Sequence, residues 1–436
     1  MIKMNNDIII KDEKSTFFEE EYTFVVLPNG LRIYLYNKEG YNSTYVTYST
    51  KYGSIDNEFI PLGYKTFVKM PEGIAHFLEH KIFECSDGID ATEKLMALGA
   101  DVNAYTSYEE TSFFFTTTSN VEKAVVALMG YIGERAYSVE SVLKEQDIIE
   151  QERAMYADDP ASVLKRNALK LLYRNHPIRI DIAGTQNSIK SITKEDLDLC
   201  HKTFYQPQNM RLTVVGKFSK DEILKAIIET SLKTNANKTA IKRREYYENE
   251  PLLEKRIVQH MDVKTPLVLI AVRIPSDKIS YIEQEKRSLY LTYWLKTTFD
   301  ANSQFYLKLK KSGLVTTPLQ YTATISKTYQ YLMISGITTN EKKFSDLIKK
   351  ELLQIKQKEV DIAKFMRYQR KLTATIIRSF NSLEGITANI QEADEAEMSV
   401  FEYIKASSSL KIEELKDVQK FFDEEYLVES VVLPRK

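Results

Sequence analysis

The sequence predicts an α+β fold made of two homologous α/β sandwich domains, each a mostly antiparallel sheet covered by helices. Three observations predict it. Alternating strand-like stretches follow one another in the N-terminal half, with helical stretches segregated between them, which is the pattern of an α+β sandwich rather than of a doubly wound parallel sheet. The chain also resembles itself at half its length. Glu195-Asp196-Leu197 through Phe204, Met210 and Val214-Val215 lie on Glu413-Glu414-Leu415 through Phe422, Val428 and Val432-Leu433, at a constant offset of 218 in a chain of 436 residues. Self-similarity at this period implies two copies of one domain. Finally, 436 residues suit two to four domains with substantial cores.

The first copy reads, in order, as strands near 22–27, 31–36 and 43–52, helices near 71–85 and 90–98, strands near 101–106 and 111–118, and helices near 121–136 and 139–156. Gly99 and the Tyr108-Glu109-Glu110 turn bound the strand 101–106, which reads as exposed. Asn120-Val121-Glu122-Lys123 is a capped helix start after a strand, and Asn340-Glu341-Lys342-Lys343 repeats it at nearly the same offset as the rest of the duplication. Val142, Ile148, Ile149 and Met155 recur at roughly helical spacing, so 139–156 reads as an amphipathic helix. Lys233 to Pro251 is polar and of mixed charge, the best interdomain linker. The expected division is therefore an N-terminal domain 1–232, a linker 233–251 and a C-terminal domain 252–436.

The chemistry lies in His76-Phe77-Leu78-Glu79-His80. The chain has five histidines, and two of them fall here. On a helix, His76 and His80 share one face one turn apart, where both imidazoles can reach one ion, and Glu79 borders the same spot. Two neutral ring nitrogens suit zinc, and a carboxylate beside it can take a proton from a metal-activated water. The pattern is the inverted zinc-peptidase motif H-x-x-E-H. Without that chemistry it reads as two helix histidines beside a surface glutamate. A catalytic zinc takes three protein groups and keeps a fourth position open. Glu145 and Glu152 lie seven residues apart on the 139–156 helix and share a face, so one can bind the metal while the other orients a ligand histidine. Glu150 sits elsewhere on the wheel. Read alone, these acids are an ordinary charged helix face.

Gly73-Ile74-Ala75-His76-Phe77-Leu78-Glu79-His80, followed by Glu145 and Glu152, resembles the pitrilysin/insulinase family of zinc metallopeptidases. The resemblance runs on through Gly99 to Thr106, Met155 to Pro160, His176-Pro177 with Ala183-Gly184-Thr185, and Phe204-Tyr205 leading into Asn209-Met210. It is closest to the half-length bacterial members, good from about residue 22 to 218 and weak beyond. The segment from His80 to Glu152 is slightly shorter than in many members. Carried over by position, the resemblance implies one zinc held by His76, His80 and Glu152, Glu79 as general base, and Glu145 orienting a ligand. It further implies a zinc endopeptidase cutting small unfolded peptides, in leader-peptide processing or peptide clearance. In the family the strand matching 101–106 takes the substrate as an added β-strand, which makes Asn103 and Ala104 the substrate-binding residues.

The second copy carries no ligand set. Adding 218 to the motif lands on Trp294-Leu295-Lys296-Thr297-Thr298, and Glu152 maps to Arg370. The family supplies an arginine and a tyrosine from this copy to polarise the scissile carbonyl, anchored on a Gly-Leu turn. Here, anchored on Gly313-Leu314, Leu309 and Thr316 stand at those positions, with Lys308 or Lys310 and Tyr321 as substitutes nearby. Half-length members close in pairs, each chain forming half of a clamshell. A chain with complete zinc chemistry and no carbonyl donors therefore implies a partner that brings them, in a heterodimer (or a homodimer) with a second half-length chain.

Composition agrees with a soluble enzyme. The net charge is −1, so no global field favours nucleic acid or an anionic membrane. The basic run Lys238 to Arg244 is short, sits near Glu245, Glu248 and Glu250, and reads as a solvated linker. Cys85 and Cys200 form no metal or redox motif and suit a reducing compartment. No signal-peptide pattern opens the chain and no apolar run is long enough to span a bilayer, so the cytoplasm is the expected location. Two other readings stay open. A non-catalytic peptide-binding or scaffold subunit would lack turnover, and a zinc-stabilised structural protein would close its metal with four protein ligands.

Overall fold

The computed structural model describes residues 8–16, 19–231 and 239–435. Two compact units make up the chain, and each draws on both halves of the sequence. The first comprises 1–151, 181–244 and 377–401, and the second 152–180, 245–376 and 402–436.

In chain order the N-terminal half forms β1 (Ile9–Lys14), β2 (Glu21–Val26), β3 (Arg32–Asn37), β4 (Thr44–Thr50), β5 (Glu58–Ile60) and β6 (Val68–Lys69). Next come α1 (Ile74–Ile82), α2 (Ala91–Ala97), β7 (Ala100–Thr106), β8 (Thr111–Thr117), α3 (Val121–Gly133), α4 (Val139–Asp158) and α5 (Pro160–Leu172). It closes with α6 (Gln186–Ser191), α7 (Lys194–Phe204), β9 (Met210–Gly216), α8 (Lys220–Ser231) and β10 (Lys242–Arg243). The C-terminal half forms β11 (Arg256–Met261), β12 (Leu267–Arg273), α9 (Tyr281–Phe299), α10 (Gln304–Lys311), β13 (Gln320–Ile325) and β14 (Gln330–Ile337). It continues with α11 (Glu341–Gln354), α12 (Ile362–Ser379), α13 (Leu383–Glu395), α14 (Val400–Ser408) and β15 (Leu427–Pro434).

The first unit is built on a seven-stranded sheet in the order β1-β2-β3-β9-β4-β8-β7. All its pairs are antiparallel except β3 with β9. Alternation along the strands sends Ile33, Leu35, Val46, Phe113, Phe115, Leu212 and Val214 into one core, where they meet Phe77 and Leu78 of α1 and Leu128 of α3. The second unit has a five-stranded sheet in the order β11-β15-β12-β14-β13, with β11 and β15 the parallel pair. Strand for strand this repeats β3-β9-β4-β8-β7. The duplication is thus visible in topology, including a parallel pair at the same place in both sheets.

Each large sheet comes from one half of the sequence, but the packing units follow other boundaries. Helix α5 packs on β12 and β15 in the second unit, and α13 packs on β9 and β4 in the first. In the first unit this places Asp394 of α13, whose side chain is 2 % exposed, against Arg211 of β9 at 2.9 Å, while Arg211 also binds Glu110 at 2.6 Å. Tyr34 donates to Asp394 at 2.9 Å, and Arg32 pairs with it at 3.0 Å. Burial alone would raise the Asp394 carboxyl, but the charges of Arg211, Arg32 and Lys51 outweigh it and hold the group below its ordinary value.

Three expectations need correction. Of the expected linker, Lys233 to Lys238 lies outside the described residues, and parts of the remainder are pinned rather than solvated. Lys242–Arg243 is β10, paired with β5 in a small sheet with β6. Arg243 pairs with Asp56 at 3.0 Å and Arg244 with Glu58 at 3.1 Å, so carboxylates of the first unit hold both arginines of the basic run. Glu248, 4 % exposed, accepts the backbone N–H groups of Asn175 and His176 in the second unit. On α4, Val142 and Ile149 are buried, whereas Ile148 and Met155 are exposed, because a seven-residue interval and not the full apolar set defines the inner face. Short β5, β6 and β10 and the N-terminal β1 were not anticipated.

Candidate metal centre

Helix α1 starts where the chain must turn sharply. Its cap, Gly73, has φ +87°, and a Cβ there would meet the Ala183 carbonyl oxygen at 2.4 Å. Gly184 mirrors it with φ +83°, where a Cβ would lie 2.3 Å from the Glu72 oxygen. Two glycines therefore let the 183–185 loop pass against the start of the helix, a close approach that no side chain would permit. From that start α1 buries Ile74, Ala75, Phe77, Leu78 and Ile82 and leaves His76, Glu79 and His80 half-exposed together. The two imidazole rings lie 4.7 Å apart, centre to centre.

Helix α4 supplies the carboxylates. Val142 and Ile149 anchor its inner face, and Glu145 and Glu152 each follow one of them by three residues. Glu145 Oε1 lies 3.0 Å from His80 Nδ1, and its Oε2 accepts from Lys81 Nζ at 3.3 Å. Burial would raise the Glu145 carboxyl, but the bond to His80 and the charge of Lys81 prevail and hold it below its ordinary value. An ionised Glu145 keeps a proton on His80 Nδ1, which leaves Nε2 as the lone-pair nitrogen. His76 is pushed down to about 4, first by burial and then by the neighbouring His80, so its ring is neutral at physiological pH. Glu152 sits two turns beyond Glu145 on the same unbroken helix. One ligand atom from each of His76, His80 and Glu152 falls within 4.8 Å of the others. Two neutral imidazoles and one carboxylate, half-buried and converging, are a donor set that zinc accepts. Among the described residues this group numbers three donors, which is the count of an open site.

Glu79 is held from the sheet. The Thr106 hydroxyl, at the end of β7, donates to Glu79 Oε2 at 2.6 Å and lies 3.3 Å from Thr111 Oγ1. Tyr205, fully buried, has its phenol pushed well up by burial and then by the negative charge of Glu79, so it stays neutral. The sequence reading missed both roles. Thr106 lies 27 residues from Glu79 and carries no motif of its own, and only the fold brings them together.

β7 is the edge of the seven-stranded sheet, pairing with β8 alone. Asn103 on it is exposed, Ala104 is half-buried, and Asn103 Oδ1 accepts the Ala104 N–H at 2.8 Å. In the second unit, Leu309 is buried in the core and Thr316 is exposed. Tyr321 donates its hydroxyl to Asp300 at 3.2 Å. Cys85 and Cys200 are buried and form no disulfide. No described helix is long and apolar enough to cross a membrane.

Comparison with other proteins adds the following. Residues 69–186 match the model of the insulinase family (peptidase family M16), and 191–372 match that of the peptidase M16 inactive domain. The uncharacterized zinc protease YmfH of Bacillus subtilis is 33 % identical over 412 residues, covering 93 % of this chain and 94 % of that protein. An M16-like peptidase from Alicyclobacillus acidocaldarius superposes with a TM-score of 0.88 at 29 % identity, over 100 % of both chains. A Helicobacter pylori protease shares the fold at TM-score 0.80 and 19 % identity, over 96 % of this chain and 100 % of that one.

Proposed function

The chain belongs to peptidase family M16, and from that premise we propose that it is a zinc-dependent endopeptidase for small unfolded peptides, working in leader-peptide processing or peptide clearance. The observation that carries this reading is the convergence of His76, His80 and Glu152 beside the carboxylate of Glu79.

In this reading His76, His80 and Glu152 hold one zinc. Zinc bound there supplies a Lewis acid that acidifies water and polarises a carbonyl. Glu145 fixes the tautomer and orientation of His80. Glu79 accepts the proton of the attacking water and returns it to the leaving amine, while Thr106 holds one carboxylate oxygen and so sets the plane in which the proton moves. The open edge of β7 receives the peptide as an added strand, with Asn103 releasing the Ala104 N–H to it and Ala104 letting the peptide backbone approach.

The chain works, we infer, in the cytoplasm and in a dimer with a second half-length homologue. Leu309 is packed into a core and offers no donor, and Thr316 has a hydroxyl but on a side chain far shorter than a tyrosine's, so the arginine–tyrosine pair has no counterpart of equal charge and reach at these positions. The match of 191–372 to a domain described as inactive agrees with a second copy that serves as substrate wall. The test is peptide cleavage by the purified chain, alone and with each half-length homologue of its host. Weak activity alone, raised a hundredfold or more by one partner, is the expected result. Full activity of the isolated chain would remove the shared-site reading. Silence with every partner, in protein that binds zinc, would favour a non-catalytic peptide-binding subunit.

A further inference from the structure

The second unit has a hollow where the repeat would place a zinc site. Trp294, Thr297 and Thr298, which a 218-residue offset lays on His76, Glu79 and His80, line a cavity of about 600 Å³ walled by α9 and α12. Its chemistry is the reverse of the first site. Lys296 of α9 and Lys371 of α12 both line it, and Arg367 stands one turn before Lys371 on the same wall.

Acidic residues also line the cavity, but several have other partners. Glu351 faces Lys358 at 3.6 Å, Asp361 faces Lys364 at 3.5 Å, and Asp300 accepts from Tyr321 at 3.2 Å. Glu359 faces Lys416 at 3.7 Å. Lys296, Arg367 and Lys371 form no ion pair with a described carboxylate. Burial, against the opposing charge of Asp300, lowers the pKa of Lys296, and Lys371 lowers it further, since neighbouring ammonium groups repel each other. An anion between them would reverse that balance.

We propose that this cavity binds a small phosphate-bearing ligand, gripped by Lys296, Lys371 and Arg367. A tetrahedral dianion presents oxygens in several directions and matches three cations that line one cavity, whereas a carboxylate presents one charge in one plane. The half-buried rings of Phe305 and Tyr368 give the rest of such a ligand an apolar wall.

The experiment is calorimetric titration of the full chain with inorganic phosphate, beside acetate at matched ionic strength, with and without bound zinc. The expected result is saturable phosphate binding that survives removal of zinc by chelator. Lys371→Met and Lys296→Met should each weaken it at least tenfold, and Lys371→Arg should retain it. Lys371 is exposed, so its variants should fold, and a thermal melt without phosphate checks this. Phosphate binding that disappears with the zinc, or that is unchanged in both methionine variants, would overturn the proposal. Equal affinity for acetate would overturn the assignment to phosphate.

Discussion

Replacing Thr106 by valine removes one hydroxyl and little else. The two side chains are nearly the same shape, both are β-branched, and residue 106 ends a strand that keeps its pairing with β8. What is lost is an O–H···O⁻ bond of 2.6 Å to Glu79. A hydrogen bond to a charged group contributes about 1.5–3 kcal/mol. At about 1.4 kcal/mol per tenfold, losing all of it from the transition state lowers kcat/KM by roughly 10- to 150-fold. The assay is cleavage of a quenched fluorescent peptide by the active assembly, with zinc measured on the same samples. Thr106→Val should keep its zinc, since Thr106 is no ligand, and should lose its rate mainly in kcat. Thr106→Ser, which restores the hydroxyl, should recover most of that rate. A valine variant within twofold of wild type would refute the positioning role. So would a serine variant as slow as the valine one.

Two further outcomes follow from the same geometry. Glu145→Gln removes the charge that keeps the proton on His80 Nδ1, so zinc affinity should fall about 10- to 100-fold by competition with a chelating dye, and an unchanged affinity would contradict that role. Buried His176 and His201 are each pushed down to about 4 by burial, against about 6.5 in the unfolded chain. Between those values the unfolded state binds more protons, so stability should fall as pH drops from about 6.5 towards 4, by an order of 3 kcal/mol per histidine across the window. Denaturant titrations at several pH values should show this slope, reduced in His201→Gln, and a flat profile would contradict it.

How much of this was legible in one dimension depends on the distance over which each contact acts. His76, Glu79 and His80 sit within five residues on one helix, and their chemistry and spacing declare themselves together. Glu145 and Glu152 were legible as a pair because a seven-residue interval returns to the same helix face, and Val142 and Ile149 hold that face inward for the same reason. The repeat was legible because its last helix-and-strand segment kept a gapless offset. Contacts made by tertiary folding were not. Thr106 reaches Glu79 only because β7 ends beside α1, and Asp394 meets Arg211 across 183 residues because α13 packs on the sheet of the other half. Ile148 and Met155 look like core residues by type, yet the inner face of α4 has room for Val142 and Ile149 only, and periodicity alone cannot say how wide a buried stripe is. The two- and three-residue strands β5, β6 and β10 are too short to show any alternation.

The most direct test of the central claim pairs metal content with turnover in wild type and Glu79→Gln. The account predicts about one zinc per chain in both proteins, and peptide cleavage in the partner-completed assembly that is lost only with Glu79→Gln. Absence of bound zinc in the wild type, or undiminished cleavage by Glu79→Gln, would contradict it.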